Sequence, residues 1–142
     1  MPDTNIPYQI VIFTLHHTIS GGIFLHDQRL SDHLNDRRDK NIILRNATVA
    51  RLENPVKVLE KTLFSTVPKT GIILAFEPPQ KLTQPPRRFI KYPKERHEVY
   101  VTLDGMEVRG ELHTQGSSLD FVRILADAGE SFLPLTQATV SI

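Results

Sequence analysis

The amino-acid sequence predicts a β-rich α+β fold made of two related β-β-α-β units, the first of which is extended by a β-hairpin. Three observations predict it. Short runs rich in Ile, Val and Phe alternate with turn residues, which is typical of strands in hairpins. Each half of the chain carries one short helical pattern. The apolar pattern of the first third also recurs near the C-terminus, which indicates an internal duplication.

The duplication aligns residues 8–25 with residues 97–114 at a shift of 89. After a two-residue insertion the shift becomes 91, and Ala47-Thr48-Val49 falls on Ala138-Thr139-Val140. The predicted core positions of the repeat follow one order in both copies: Gly21, Leu30 and Leu34 in the first, and Gly110, Phe121 and Leu125 in the second. Each unit is therefore expected to bury the same side of its sheet and helix.

The chain is predicted to divide into four segments. In order, these are a loose N-terminal tail, the first unit, a basic proline-rich connector and the second, shorter unit, over residues 1–7, 8–77, 78–96 and 97–142. The connector has six basic residues against one acidic residue and so a net charge of +5. The second unit is acidic, so the basic connector is expected to attract the second unit of its own chain or that of a partner copy.

The first unit is predicted to begin with a hairpin of residues 8–15 and 18–25, with His16-His17 as its turn. The first run is rich in Ile, Val and Phe, which is typical of a strand that is buried on both faces. Gly21 lies inside the second strand, where a glycine usually marks a bulge or a sharp bend. Because Gly110 occupies the matching position, the bend is expected in both copies.

A short helix is predicted from about Gln28 to Asp36, with Asp27 as its N-cap, because an aspartate there can accept hydrogen bonds from the first-turn amides. Leu30 and Leu34 are four residues apart and would place one apolar ridge against the sheet. A further strand is expected over residues 42–49, which are rich in apolar and β-branched side chains.

The extending hairpin of the first unit is predicted over residues 56–67 and 71–76. Between them, Pro68-Lys69-Thr70-Gly71 is a favourable turn sequence. This hairpin gives the first unit two strands that the second unit lacks.

The second unit is predicted to repeat the order strand, strand, helix and strand over residues 98–103, 107–114, 119–128 and 132–142. Asp104-Gly105 is a strong turn signal between its first two strands. Because no second hairpin follows, this copy would leave a sheet edge and an apolar face uncovered. We therefore expect either an intimate pseudo-symmetric fold or a homo-oligomer.

The first unit contains the run Arg29-Leu-Ser-Asp-His-Leu-Asn35, a strand ending in Ala47-Thr48-Val49, and the later Phe64-Ser-Thr-Val67. These features resemble a small bacterial family of uncharacterised domains, in which a hairpin, a short "RLSD-x-LN" helix and a strand precede a final hairpin. The resemblance covers residues 8–77, and more loosely residues 97–142. It implies a fold and carries no known activity or catalytic residues.

The second unit contains Val101-Thr-Leu-Asp-Gly-Met-Glu-Val-Arg-Gly-Glu-Leu112, which is similar to the first two strands of Sm-like small β-barrels. Residues 64–76 are similar to the last hairpin of those barrels. The resemblance implies small bent sheets or an Sm/SH3-like barrel. It does not imply RNA binding, because no Asp-x-x-x-Asn loop follows Leu112 and Thr66–Lys69 stands where an Arg-Gly step would be.

The connector holds the most distinctive polar feature of the sequence, a stretch that interleaves cations with aromatic side chains. Single-stranded nucleic acid binds such mixtures, because cations contact phosphates and aromatic rings stack on bases. Alternatively, the aromatic side chains pack the connector onto the fold while the cations face water, a partner or the acidic second unit. The candidate contact residues for an anion, a nucleic acid or a protein partner are Arg87, Arg88, Phe89, Lys91, Tyr92 and Lys94.

The sequence predicts no catalytic residue, metal site or cofactor. It has no cysteine, no Gly-rich phosphate loop and no nucleophile elbow. His16, His17, His26 and His33 all lie in the first unit. The adjacent His16 and His17 would nevertheless point to opposite sides of an extended chain, whereas a metal site needs converging ligands.

These observations favour a cytoplasmic, non-enzymatic protein–protein interaction or assembly module that binds copies of itself or another protein subunit. The first residues lack the basic and apolar regions of a signal peptide. The longest apolar runs are far too short to span a membrane. The alternative is a single-stranded nucleic-acid-binding module that uses residues 87–94.

Overall fold

Five antiparallel strands form the sheet of the first unit, in a computed structural model that describes residues 7–78, 95–114 and 132–142 of the chain. The strands are, in chain order, β1 (Tyr8–Phe13), β2 (His17–Ile23), β3 (Asn41–Arg51), β4 (Asn54–Pro68) and β5 (Leu74–Phe76). Helix α1 (Leu30–Asn35) connects β2 to β3, and a 3₁₀ turn (Lys69–Gly71) connects β4 to β5. The order across the sheet is β4-β3-β2-β1-β5, so β4 and β5 are its two edges.

Three antiparallel strands form the second unit: β6 (Glu95–Leu103), β7 (Met106–Thr114) and β8 (Thr136–Ser141), in the order β6-β7-β8. Gly105 has a φ of 73° at the predicted Asp-Gly turn between β6 and β7, a conformation that glycine adopts without strain. The helix predicted over residues 119–128, which includes Phe121 and Leu125, lies outside the described residues. Each unit is one of the two compact bodies into which the chain divides, residues 1–83 and 84–142.

The prediction that the first unit ends in a hairpin is wrong, because β4 pairs with β3 and β5 pairs with β1. Residues 68–71 do turn the chain, but the turn leads from one edge of the sheet to the other. The amide of Lys69 donates to the Lys40 carbonyl at 2.9 Å, and the amide of Ile73 donates to the Phe13 carbonyl at 2.9 Å. These two bonds direct the chain from β4 to its place beside β1.

The alternative of a closed Sm/SH3-like barrel is also wrong for the described strands. A barrel needs its two edge strands to pair with each other. Instead, β4 and β5 lie at opposite edges of an open five-stranded sheet, and β6 and β8 lie at opposite edges of a three-stranded one. The described architecture is therefore two small antiparallel sheets with one short helix.

Helix α1 is shorter than predicted, and the prediction of an Asp27 cap is wrong. Arg29 occupies the N-cap position and makes no side-chain cap hydrogen bond. His26 and Asp27 have φ values of 44° and 64°, so the chain makes a left-handed turn where the cap was expected. Tertiary packing stabilises the helix instead, since both of its leucines are buried.

The C-terminal end of α1 is held by a lysine from the 3₁₀ turn. The Lys69 ammonium donates to the carbonyl oxygens of His33 and Asp36, at 2.8 Å each. Terminal carbonyls of a helix lack partners within the helix, and a cation there also complements the helix dipole.

The environment at this end of α1 also shifts two pKa values. Burial of the imidazole, and secondly the nearby Lys69 charge, lowers the pKa of His33. Hydrogen bonds from Arg38 hold the pKa of the Asp36 carboxyl well below its usual range.

Replacing this lysine by methionine is expected to destabilise the first unit. Lys69→Met keeps the apolar stem but leaves two partly buried carbonyls without their charged donor, and one such bond contributes about 1.5–3 kcal/mol. We expect the free energy of unfolding, measured by urea denaturation and circular dichroism, to fall by that amount or more. Lys40→Met, at an exposed position, is the control and should stay within about 0.5 kcal/mol of the wild type. Equal losses in both variants would contradict the prediction.

The two sheets share one irregularity in strand pairing. The register between β2 and β3 shifts between Ser20 and Gly22, and the register between β7 and β8 shifts between Arg109 and Glu111. When 89 is subtracted from the residue numbers of β7 and 91 from those of β8, every residue pair between β7 and β8 coincides with a residue pair between β2 and β3. The pair of Glu111 and Thr136, for example, takes the place of Gly22 and Arg45.

A glycine and a left-handed residue meet at each of these register shifts. A Cβ atom on Gly21 would lie 3.0 Å from the Arg45 carbonyl oxygen and 3.1 Å from the Leu44 Cβ. A Cβ atom on Gly110 would lie 3.2 Å from the Leu135 Cβ and 3.3 Å from the Ala138 Cβ. Across from each glycine, Asn46 and Gln137 have φ values of 49° and 50°. Both sheets thus bring two strands into close contact at matching points.

The bend also sets which residues of β3 are buried. Ile42 and Leu44 are buried at the two-residue spacing of a strand, and Ala47 is buried three residues after Leu44. The left-handed Asn46 lies between them and returns the following residue to the core side. The core of the first unit therefore continues across the bend. In the second unit, Met106, Val108 and Leu112 are the buried hydrophobic residues among those described.

Candidate protein interface

The edge strand β4 exposes a row of large apolar side chains. This strand has 15 residues, and most of them are exposed. Val56 is 88% exposed, Leu63 75% and Phe64 60%, and Val58 and Leu59 are also exposed. Exposed apolar patches on a protein surface mark interaction sites more often than isolated exposed residues do. We refer to residues 56–64 of β4, with their outward-facing backbone, as the β4 edge.

The backbone of the β4 edge is paired on one side only. Among the described residues, β4 pairs with β3 and with no other strand. An edge strand presents amide and carbonyl groups that can add a strand from another chain. Natural proteins usually protect such edges with short length, charge or proline. Because β4 is long and largely apolar, Pro55, Pro68 and its charged residues protect it only in part.

Three charged residues, Lys57, Glu60 and Lys61, interrupt the apolar row. Like charges directly opposite each other in neighbouring strands are unfavourable. The charges therefore do not close the edge, but they limit the registers in which a second strand can pair with it.

The aromatic ring of Phe64 lies beside a cation from the neighbouring strand β3. The Arg45 guanidinium carbon lies 5.5 Å from the centre of the Phe64 ring and 4.4 Å from the centre of the Phe24 ring. Phe24 in turn stacks on His26, with 6.4 Å between the ring centres. A cation over an aromatic face contributes about 0.5–1 kcal/mol at an exposed site. This contact favours one orientation of the Phe64 ring at this end of the β4 edge.

The predicted site residues fall partly within the described regions. Gly21 and Gly110 lie at the two register shifts, and Leu30 and Leu34 are buried on α1. The following predicted residues lie outside the described residues: Phe121, Leu125, Arg87, Arg88, Phe89, Lys91, Tyr92 and Lys94. The β4 edge was not among the predicted sites, because its exposure follows from the strand order and not from its own residues.

The histidines of the first unit do not converge. Within residues 7–78, 95–114 and 132–142, no three His, Cys, Asp or Glu residues lie close enough together to hold a metal ion. His16 and His17 are exposed, and His26 is engaged with an aromatic ring. Neither of the two helical segments seen in these regions has the length and apolar character needed to cross a bilayer.

The β4 edge combines apolar side chains, backbone groups available for pairing and an aromatic ring that contacts the Arg45 guanidinium. These are the properties of a strand that binds another polypeptide by extending a sheet. The arrangement brings together groups that can bind another polypeptide. No family model, curated protein or solved structure matches this chain.

Proposed function

We propose that this chain is a non-enzymatic assembly module that associates with copies of itself through the β4 edge. The observation that carries the proposal is the exposure of Val56, Leu63 and Phe64 on a strand whose outer side has no partner in the described part of the chain. Self-association would remove this apolar surface from water. Fully burying one such side chain contributes about 1.5–3 kcal/mol.

We also propose that the two units are copies of one ancestral β-β-α-β unit. Matching register, matching register shifts and matching left-handed residues support this relationship. The described part of the second unit has three strands, against five in the first. A duplicated module with unequal sheet edges is well suited to assembly, because each edge can pair with a further strand.

Symmetry makes a second copy a suitable occupant of the β4 edge. When two antiparallel strands are related by a two-fold axis, one residue pairs with its own copy and the others pair across that centre. A centre at Glu60 or Lys61 would oppose like charges, and a centre at Leu59 would oppose Lys57 to Lys61.

A centre at Leu63 avoids this conflict. In that register Lys61 lies opposite Ser65, and Thr62 lies opposite Phe64. The exposed stretch around Leu63 and Phe64 is then covered, and Leu63 packs against its own copy. We therefore propose that two copies of β4 pair in the register that has Leu63 at its centre.

Leu63→Lys is expected to disrupt the assembly, because it places two ammonium groups opposite each other at the centre. Like charges brought together at an interface cost several kcal/mol. We therefore expect the dissociation constant, measured by analytical ultracentrifugation of the full chain, to rise more than tenfold, since about 1.4 kcal/mol corresponds to a factor of ten.

The matched control is Leu15→Lys. Leu15 is 54% exposed and lies in the turn between β1 and β2, outside the β4 strand. This variant should keep the wild-type dissociation constant, and both variants should keep the wild-type unfolding midpoint. A wild-type chain that stays monomeric at high micromolar concentration would refute the proposed function.

A further inference from the structure

The outer edge of β8 corresponds to an edge that is already covered in the first unit. At a shift of 91, β8 takes the place of residues 45–50 of β3, and it pairs with β7 as β3 pairs with β2. The other side of β3 is covered by β4 along its whole length. Among the described residues, β8 has no strand on that side. A bent strand of this kind thus accepts a second neighbour without losing its bend.

The composition of β8 leaves this edge unprotected. Residues 136–141 read Thr-Gln-Ala-Thr-Val-Ser, without a charged residue or a proline. The opposite edge of the same sheet, β6, carries Arg96 and Glu98, and the β4 edge carries three charges. Charges and prolines are the usual means by which proteins prevent an edge from pairing. Among the described edge strands longer than the three-residue β5, β8 is therefore the one most open to a further strand.

The β8 edge is also complementary to itself. With a two-fold centre at Thr139, threonine lies opposite threonine, Ala138 lies opposite Val140, and Gln137 lies opposite Ser141. Threonine pairs across neighbouring strands are favourable, and a small residue opposite a larger one fills the space between them. Because the strand is uncharged, no register of this pairing opposes like charges. This distinguishes β8 from β4, where the registers centred at Leu59, Glu60 and Lys61 do.

We propose that β8 pairs antiparallel with β8 of a second copy, with Thr139 at the centre, so that the two three-stranded sheets form one six-stranded sheet. This contact goes beyond the proposed function, because it does not use the β4 edge. Where both contacts form, each copy has two different self-complementary edges, and the assembly grows past a dimer. That last consequence rests on the proposed function, whereas the β8 contact does not.

A single-cysteine experiment tests the contact directly, since the chain contains no cysteine of its own. Thr139→Cys should form a disulfide-linked dimer under mild oxidation, because residues facing each other across antiparallel strands lie within the Cα separation of about 4.4–6.8 Å that a disulfide needs. Thr102→Cys is the matched control, an exposed threonine on the other edge strand of the same sheet. It should remain monomeric on a denaturing, non-reducing gel.

Mass measurements separate this contact from the β4 edge. Thr139→Lys opposes two cations at the centre and should raise the dissociation constant of the β8 contact more than tenfold. We expect Thr139→Lys and Leu63→Lys each to leave a dimer, and the double variant to be monomeric. If Leu63→Lys has the wild-type mass while Thr139→Lys is monomeric, the β8 contact holds and the proposed role of β4 fails.

The β8 contact is overturned by any of three results. The first is that Thr139→Cys is no more cross-linked than Thr102→Cys. The second is that Thr139→Lys has the mass of the wild type at every concentration. The third is that the Thr139→Cys disulfide is lost when Leu63→Lys is added. The third result would mean that the β4 edge alone brings the copies together. An unchanged unfolding midpoint in each variant shows that the sheet itself is intact.

Discussion

Leu44→Ala is expected to lower the free energy of unfolding of the first unit by about 2–5 kcal/mol, the range for a leucine deleted from a packed core. Leu44 is 0% exposed and lies on β3, which has β2 on one side and β4 on the other. It also contacts the bend, where its Cβ would lie 3.1 Å from a Cβ on Gly21. Because neighbouring strands enclose the site, little collapse can relieve the cavity. Urea denaturation followed by circular dichroism measures the loss.

Ile43→Ala is the control for this prediction. Ile43 precedes Leu44 on the same strand but is 57% exposed, so its truncation removes a β-branched side chain and little buried contact. We expect a loss of less than about 1 kcal/mol, within the span of strand propensity. If the two variants lose equal stability, then the core does not lie on the face of β3 that the structure assigns to it.

Gly21→Ala is expected to cost about 1–3 kcal/mol, the usual range for an added group in a packed site. The new methyl group would lie 3.0 Å from the Arg45 carbonyl oxygen and 3.3 Å from the Ala47 Cα, both of which are backbone atoms of β3. Backbone atoms in a paired strand cannot move aside as a flexible side chain can. The substitution therefore pushes β2 and β3 apart at the bend.

Two further glycines serve as comparisons. Gly71→Ala adds a methyl group with no atom within 4 Å, so it should be neutral or stabilise by up to about 1 kcal/mol through the unfolded chain. Gly110→Ala should destabilise the second unit, and by less than Gly21→Ala, because its contacts with the Leu135 Cβ, the Ala138 Cβ and the Thr136 carbonyl oxygen begin at 3.2 Å and not at 3.0 Å. Equal stability of Gly21→Ala and Gly71→Ala would contradict the close strand contact described at the bend.

Local features of the fold could be predicted from the sequence. The positions of the strands follow from their apolar and β-branched residues, and the turn at Asp104-Gly105 follows from its dipeptide. A glycine inside a strand predicts an irregularity, and the register shifts at Gly21 and Gly110 confirm that prediction. Each of these features depends on residues that are neighbours in the chain.

The pairing of β5 could not be predicted in the same way. Pro68-Lys69-Thr70-Gly71 specifies a turn, but the edge that the next strand joins depends on distant partners such as the Phe13 carbonyl. The β4 edge escaped prediction for the same reason, since Leu63 is exposed only because β4 is the outermost strand. The prediction of an Asp27 cap failed because His26 and Asp27 both adopt a left-handed conformation, which the neighbouring residues did not indicate.

The bend in β3 has a consequence for recognising this unit in other proteins. A strand in which one left-handed residue separates two inward side chains breaks strict alternation, so a search for regular β patterns would pass over it. What both halves of the chain keep is a short fingerprint, Leu-x-(Asn or Gln)-Ala-Thr-Val, some two dozen residues after a glycine. The intervening segment differs in length between the halves and need not be matched. Other chains that bear this fingerprint are candidates for the same bent sheet.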